Sequence, residues 1–255
     1  MEWLKLQSLY ERKAYRIVQR HIKDILQGIP INNASLNTYE YLINANITDE
    51  QIKKMFIEMY STIGLNYGNR INKELEKVQK ANILFNDVLL EQILLFLSNE
   101  GGVKIVSVRN TLIESLILAI KESLKENATV IEIQNAIYNI AKKSGTFYKW
   151  QALRIARTET TSASSLAAIE TARQSNLVMT KKWISAQDDR TRLDHFIENG
   201  QIVELDEPFI MASGAKLDYP GDTKAPPNEV INCRCTIGFI PKRDANGMLI
   251  LKNKA

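Results

Sequence analysis

The sequence predicts an α+β protein, a helical amino-terminal region followed by a small domain that adds short antiparallel strands. Through about residue 175, apolar side chains recur at helical spacing and alternating runs are scarce. After Asn176 the texture changes to short strand-like runs separated by stretches rich in Pro and Gly. The 255 residues are 45% hydrophobic and 24% charged, which supplies apolar side chain for a sizeable core and length for two structural units.

The first helix is expected over Trp3 to Leu26, where Leu6, Tyr10, Tyr15, Val18, Ile22 and Ile25 share one stripe. Gly28 and Pro30 end it through backbone freedom and a missing donor. Thr48 and Gln51 form a capping box, each side chain satisfying an orphan amide, and open a helix running to about Lys80. Gly64 and Gly68 fall on one face of that helix, as an accommodated packing spot or as a seat for another helix backbone. Ile83 to Leu97 is the most apolar helix, and Ser98-Asn99-Glu100-Gly101-Gly102 breaks it. A further helix fits Val108 to Lys125. Thr129 and Glu132 repeat the capping box ahead of Ile133, Ile137 and Ile140, and Ser144-Gly145 closes that element.

The next helix, about Phe147 to Ser175, carries Ser162, Ala163, Ser164, Ser165, Ala167 and Ala168, small side chains against which another helix can pack closely. Beyond it, Lys181 to Ser185, Gln201 to Leu205, Cys235 to Ile240 and Met248 to Leu251 read as strands. Asn246-Gly247 signals a two-residue hairpin turn, because both residues tolerate positive φ. Lys181 and Lys182 read as solvated charges.

Composition excludes several function classes. A net charge of +4 permits contact with DNA without supplying the dense positive field of a dedicated duplex binder. The two cysteines, Cys233 and Cys235, are too close together to staple distant segments as a disulfide framework does. Met1-Glu2-Trp3-Leu4-Lys5 does not open as a signal peptide, and Ile83 to Leu97 is too short and too interrupted by polar residues to span a bilayer. Synthesis in the cytoplasm, with no membrane partner, is the expectation. Gly101-Gly102 lacks the lysine and hydroxyl of a P-loop, and neither a helix-turn-helix nor a zinc-finger spacing is present.

Three segments in fixed order carry a resemblance. The first is Ile155-Ala156-Arg157-Thr158-Glu159-Thr160-Thr161 with its alanine-rich continuation. The second is Trp183 followed by Asp188-Asp189-Arg190-Thr191-Arg192-Leu193-Asp194-His195 and Gly200-Gln201, and the third is Asn232-Cys233-Arg234-Cys235. Each alone is a weak signal, whereas the ordered set is specific. Over about Trp150 to Pro241 the chain resembles the carboxy-terminal domain of Mu F-like phage head-morphogenesis proteins.

The resemblance implies a virion protein present in few copies, assembled in the host cytoplasm and associated with the portal vertex in the capsid interior. It further implies a need for the protein in head assembly and, in some members, release with the DNA. The partners it implies are the portal protein and other capsid or scaffold proteins.

His195, Cys233 and Cys235 are the residue types that zinc prefers, but a structural site usually takes four ligands. Some members of the family carry a cysteine where this chain has Arg192, so the set implied by the resemblance is one short here. Asp188, Asp189 or Asp194 could add an oxygen. The alternative is a hydrogen bond from His195 to the cysteine segment that orders the fold. Thiol catalysis, with Arg234 lowering a thiol pKa and His195 as base, competes with simple packing of the two cysteines. Asp188, Asp189, Asp194, Glu198, Asp206 and Glu207 show no spacing that defines an acid and a base. Arg190 and Arg192 beside aspartates fit bidentate pairs that fix a loop, or else a phosphate contact. Arg154 and Arg157 fit a helix-surface ion pair with Glu159 or a nearby acid.

The expected organisation is a helical region over 1–143, a Mu F-like domain over 144–241 and a hairpin tail over 242–255. The expected function is a non-enzymatic minor head protein, structural in morphogenesis and linked to DNA packaging or ejection. The alternatives are a non-specific DNA-binding virion protein and a toxin-like or hydrolytic effector. Effectors of that kind append a catalytic domain after this one, and about 14 residues beyond Pro241 are too few for a core of their own.

Overall fold

The computed structural model describes residues 2–30, 35–79, 86–126, 128–142 and 146–252. Among the described residues seven helices come first: α1 (Glu2–Gln27), α2 (Leu36–Asn46), α3 (Asp49–Gln79), α4 (Asn86–Asn99), α5 (Gly102–Lys125), α6 (Val130–Lys142) and α7 (Thr146–Gln174). Then follow β1 (Met179–Ile184), α8 (Leu193–Ile197), β2 (Ile202–Glu204), β3 (Phe209–Ile210), β4 (Lys216–Leu217), α9 (Pro227–Val230) and β5 (Thr236–Pro241). The α+β class read from the sequence is what the chain adopts.

Both capping boxes form. The Thr48 amide donates to Gln51 Oε1 at 2.8 Å while Gln51 N–H returns to Thr48 Oγ1 at 3.3 Å, and Thr129 and Glu132 repeat the exchange at 2.7 and 3.3 Å. The expected start of a helix at Ile83 and the break at Ser144-Gly145 lie outside the described residues. α5 begins six residues before Val108, directly after the Gly101 turn.

α2 has no counterpart in the sequence reading. Only Tyr39 and Ile43 of this helix are buried, so its apolar stripe is too short to stand out. Ser35 caps its start through the Thr38 amide, while Asn44 and Asn46 donate to carbonyls one turn back.

α7 is the axis of the molecule. It packs on α1, α3 and α4 and reaches β5, and residues from Thr158 to Ile169 are buried on every side. Its small side chains make this feasible: a Cβ on Gly64 of α3 would lie 3.6 Å from both Ala163 O and Ala167 Cβ, so the two helices meet almost backbone to backbone. One continuous core runs from Tyr10 of α1 through Phe56, Tyr60, Ile93 and Ala167 to Trp183 and Ile237 of the sheet.

β1 lies between β2 and β5 in an antiparallel sheet, with Lys182 opposite Ile202 on one side and Gly238 on the other; β3 and β4 form a separate two-stranded ladder. The tail is not the expected strand. Met248 to Leu251 makes isolated bridges only, Leu249 to Arg243 and Leu251 to Leu177. The turn also differs: Gly247 alone has positive φ, at 79°, and Asp244 accepts from the amides of Asn246 and Met248, which makes a three-residue loop. The Asp244 side chain supplied the competing local bonds. Lys181 is another correction, since it is 1% exposed and its Nζ donates to Asp218 O at 2.7 Å instead of being solvated. Among the described residues no helix is long and apolar enough to cross a membrane.

Candidate functional site

The three motifs meet along α7. One face of the first motif holds the third: Thr158 Oγ1 accepts from the Asn232 amide at 3.0 Å, and Thr161 Oγ1 donates to Cys233 O at 2.5 Å. Trp3 of α1 closes the same segment from the other side, donating its indole N–H to Arg234 O at 2.9 Å. Asn232 itself sits at φ 59°, a left-handed conformation that asparagine tolerates and that turns the chain into Cys233.

The adjacent face of α7 does different work. Glu159 is buried and accepts from Tyr60 Oη at 2.8 Å and from Lys104 Nζ at 3.0 Å, while Lys104 also donates to Ser162 Oγ. Ser162 in turn donates to Gly221 O at 2.7 Å, and a Cβ on Gly221 would meet Ser162 N at 2.9 Å, so only glycine lets this loop touch the helix. Arg157 does not pair with Glu159; its guanidinium reaches Glu11 of α1 at 3.2 Å, tying two helices together. Arg154 is exposed.

In the second motif Asp188 is the hub. It accepts from Thr191 Oγ1 and the Arg190 amide, both at 3.1 Å, and receives the Arg234 guanidinium bidentately at 2.6 and 2.5 Å. The Arg234 hydrogen bonds and charge hold its carboxyl down at about 2. The bidentate partner is therefore Arg234 and not the neighbouring arginines. The Arg190 side chain stays exposed, 3.8 Å from Asp188, and Arg192 donates to Ile231 O. Gly200, at φ 94°, returns the chain so that its amide donates to Trp183 O at 2.9 Å.

α8 carries His195 inward, where it is 1% exposed and edge-on to Trp183, ring centroids 5.2 Å apart. Its Nδ1 faces two sulfurs, Cys233 Sγ at 3.6 Å and Cys235 Sγ at 3.4 Å. Its Nε2 lies 3.0 Å from Glu229 Oε2, and Glu229 Oε1 accepts from Ser213 Oγ at 2.8 Å. Burial opposes a charged imidazole, yet bonding to Cys233 and the charges of Cys233 and Asp194 raise its pKa. Hydrogen bonds accepted from Cys235 and from His195 pull the Cys233 thiol well down, and the Cys235 thiol is pushed well up by Cys233 and by burial. The cluster is thus a polarised thiol–imidazole–carboxylate row.

This row allows two kinds of chemistry. As a nucleophile it is sealed, with both cysteines 2% exposed. As a ligand set, Zn–S near 2.3 Å and Zn–N near 2.0 Å place tetrahedral S and N ligands about 3.6 Å apart, which the three side chains match. Arg192 leaves the four-residue set implied by the resemblance one short, and neither Asp188, Asp189 nor Asp194 joins the sulfurs among the described residues.

Of the residues singled out in the sequence, Arg157, Glu159, Trp183, Asp188, Arg192, His195, Gly200, Asn232, Cys233, Arg234 and Cys235 all lie in or beside this assembly, and Arg190 lies at its rim. The sequence reading missed Glu229, Ser213 and Lys104. Glu229 follows Pro226-Pro227-Asn228 with no spacing that marks it; only the return of α9 beneath α8 puts it against His195.

The chain matches the family described as Phage Mu protein F like protein over residues 115–238. The match opens inside α5, ahead of Trp150. A curated relative, the NAD(+)–arginine ADP-ribosyltransferase EFV of Enterococcus faecalis (strain ATCC 700802 / V583), is 36% identical over 93 residues. That likeness covers 34% of this chain and 18% of the relative, so the chain spans less than a fifth of the relative's length. No solved structure matches the chain. The three interlocked motifs all fall inside this match, which covers just under half of the chain and bears out the resemblance to phage Mu protein F-like proteins.

Proposed function

We propose that this chain is a minor head protein that acts by contact in the capsid interior, with the portal protein and other capsid or scaffold proteins as partners, and that it turns over no substrate. One observation carries this reading. The motif-bearing segment buries its imidazole, both thiols and Glu229 and displays apolar side chains beside them: around the buried His195, Leu193, Phe196 and Ile197 are 75%, 54% and 57% exposed. An apolar cluster of that kind on a short, well-anchored helix is what a protein partner covers. Arg190, exposed at the same rim, supports an accessory phosphate contact with the packaged genome. Co-expression with the portal protein of the same phage, followed by size exclusion and pull-down, tests the proposal. Co-migration with the portal ring supports it, and repeated separation while the ring is intact overturns it.

The second reading, an effector, rests on the name of the Enterococcus faecalis relative. It predicts NAD-dependent modification of arginine by the purified chain. The contact reading predicts none, because the thiol–imidazole row is sealed and internally bonded. A third, non-specific DNA binding, predicts an affinity that falls steeply with salt in a gel-shift titration.

A further inference from the structure

We infer that the open edge of β5, together with the groove between that edge and helices α1 and α3, receives an extended segment of another head protein as an added strand. The edge is read from the structure alone; that the strand comes from a head protein rests on the contact reading above.

The pairing register leaves β5 bonded on one side only. Trp183 donates its amide to Gln201 O and accepts from the Gly200 amide, both at 2.9 Å, so the odd-numbered residues of β1 bond toward β2. Ile184, Lys182 and Thr180 therefore bond toward β5, where Thr236, Gly238 and Ile240 are their partners. Alternation turns the N–H and C=O of Ile237 and Phe239, and the Pro241 carbonyl, the other way. β5 has no second neighbour in the sheet, and among the described residues these groups bond to nothing. Ile237 is 3% exposed, so its amide and carbonyl are shielded from bulk water, whereas buried backbone groups are as a rule paired.

A groove of about 380 Å³ runs along this edge. Both faces of β5 line it, Thr236 and Gly238 from one and Ile237 and Phe239 from the other, which places it beside the strand and not over it. The facing wall is helical and apolar, with Ile71, Leu75 and Val78 of α3, and its charges, Arg70 and Glu74, pair with each other at 3.4 Å. At the Thr236 end Tyr67 bridges the gap, its hydroxyl 3.1 Å from Thr236 Oγ1.

These features define the occupant. Backbone donors and acceptors at alternate residues call for an extended polypeptide, and a wall without net charge calls for apolar side chains on it. At this size the groove, walled by helix on its far side, holds one strand and not the sheet of a second copy. The chain's own tail is engaged elsewhere, Ile250 with Lys242 and Val178, and Lys252 with Asn176.

The test titrates overlapping peptides that tile the portal and the other head proteins of the phage onto the whole chain, by fluorescence anisotropy, with hydrogen exchange read at each amide. At least one peptide should bind and should slow exchange at Ile237 and Phe239. N-methylation of that peptide at alternate residues should weaken binding by about 10-fold in one parity and leave it unchanged in the other, because only one parity faces the edge. Val78→Glu, at a rim side chain 39% exposed, should weaken binding similarly with unfolding unaltered. If that variant does not fold, the N-methyl series decides, since it leaves the chain intact. Equal sensitivity of both parities overturns strand addition. So does a free chain that dimerises with those two amides already protected, because a second copy then holds the edge. If the chain co-migrates with the portal ring and no peptide binds, the contact reading stands and this proposal falls; if it co-migrates with no head protein, the contact reading falls and the head-protein source falls with it.

Discussion

Asp188 and Arg234, from segments 46 residues apart, form a bidentate ion pair in which both guanidinium nitrogens meet both carboxylate oxygens, at 2.6 and 2.5 Å. The pair clamps the loop before α8 to the strand that carries the cysteines, and it makes the second and third motifs one structural unit.

The pair predicts a pH signature. Asp188 titrates at about 2 in the folded chain, below its ordinary 3.8, so its contribution is complete above about pH 4 and is lost as pH falls toward 2. A shift of this size corresponds to at most 2–3 kcal/mol; because the carboxylate is 28% exposed, about 1 kcal/mol is the expected net value. Urea unfolding of wild type and Asp188→Asn should differ by that amount at pH 6, by about half of it at pH 3 and by little at pH 2. A difference that ignores pH would contradict the clamp.

Thr161 is fully buried and spends its hydroxyl twice, donating to Cys233 O and accepting from Gln7 at 3.2 Å. Thr161→Val removes both bonds at nearly constant volume and should cost about 1–3 kcal/mol in denaturant unfolding, with Thr161→Ser close to wild type. Equal losses for the two variants would show that the methyl group, and not the hydroxyl, matters.

Glu159 tests the other face of α7. It is bonded to Tyr60 and Lys104, and Glu159→Ala strands the Lys104 ammonium, whose side chain is 15% exposed, so a loss of about 3–5 kcal/mol is expected. Substituting both Lys104 and Glu159 by Met should recover much of it. Failure of that double variant to recover would mean that the network contributes more than charge compensation.

The apolar cluster on α8 predicts a separation of stability from assembly. Ser at Leu193, Phe196 and Ile197 together should change unfolding free energy by about 0.5 kcal/mol or less per site, since these side chains face solvent. It should still abolish co-migration with head proteins. Wild-type co-migration by the triple variant would move the contact surface elsewhere.

Much of this was legible in the sequence for physical reasons. Local rules announced the helices: capping boxes at Thr48 and Thr129, small residues along α7, and a change of period after Asn176. Side-chain pairs that cross the fold were not legible. Arg190 and Arg192 looked like the partners of Asp188 because they are adjacent, yet Arg234 has the geometry for a fork. Glu229 was invisible because its role depends on α9 passing beneath α8. Lys181 looked solvated because a lysine in a short strand usually is; here the ammonium is absorbed by one carbonyl, Asp218 O, and the Phe209 ring face, 5.1 Å away.

The most direct test is the location of the chain in the particle. Quantitative mass spectrometry of purified procapsids and mature virions from the phage that encodes it should find the chain inside heads, protected from external protease and in few copies relative to the major capsid protein. Heads that assemble normally and contain none of it, with the chain only free in the lysate, would contradict the account.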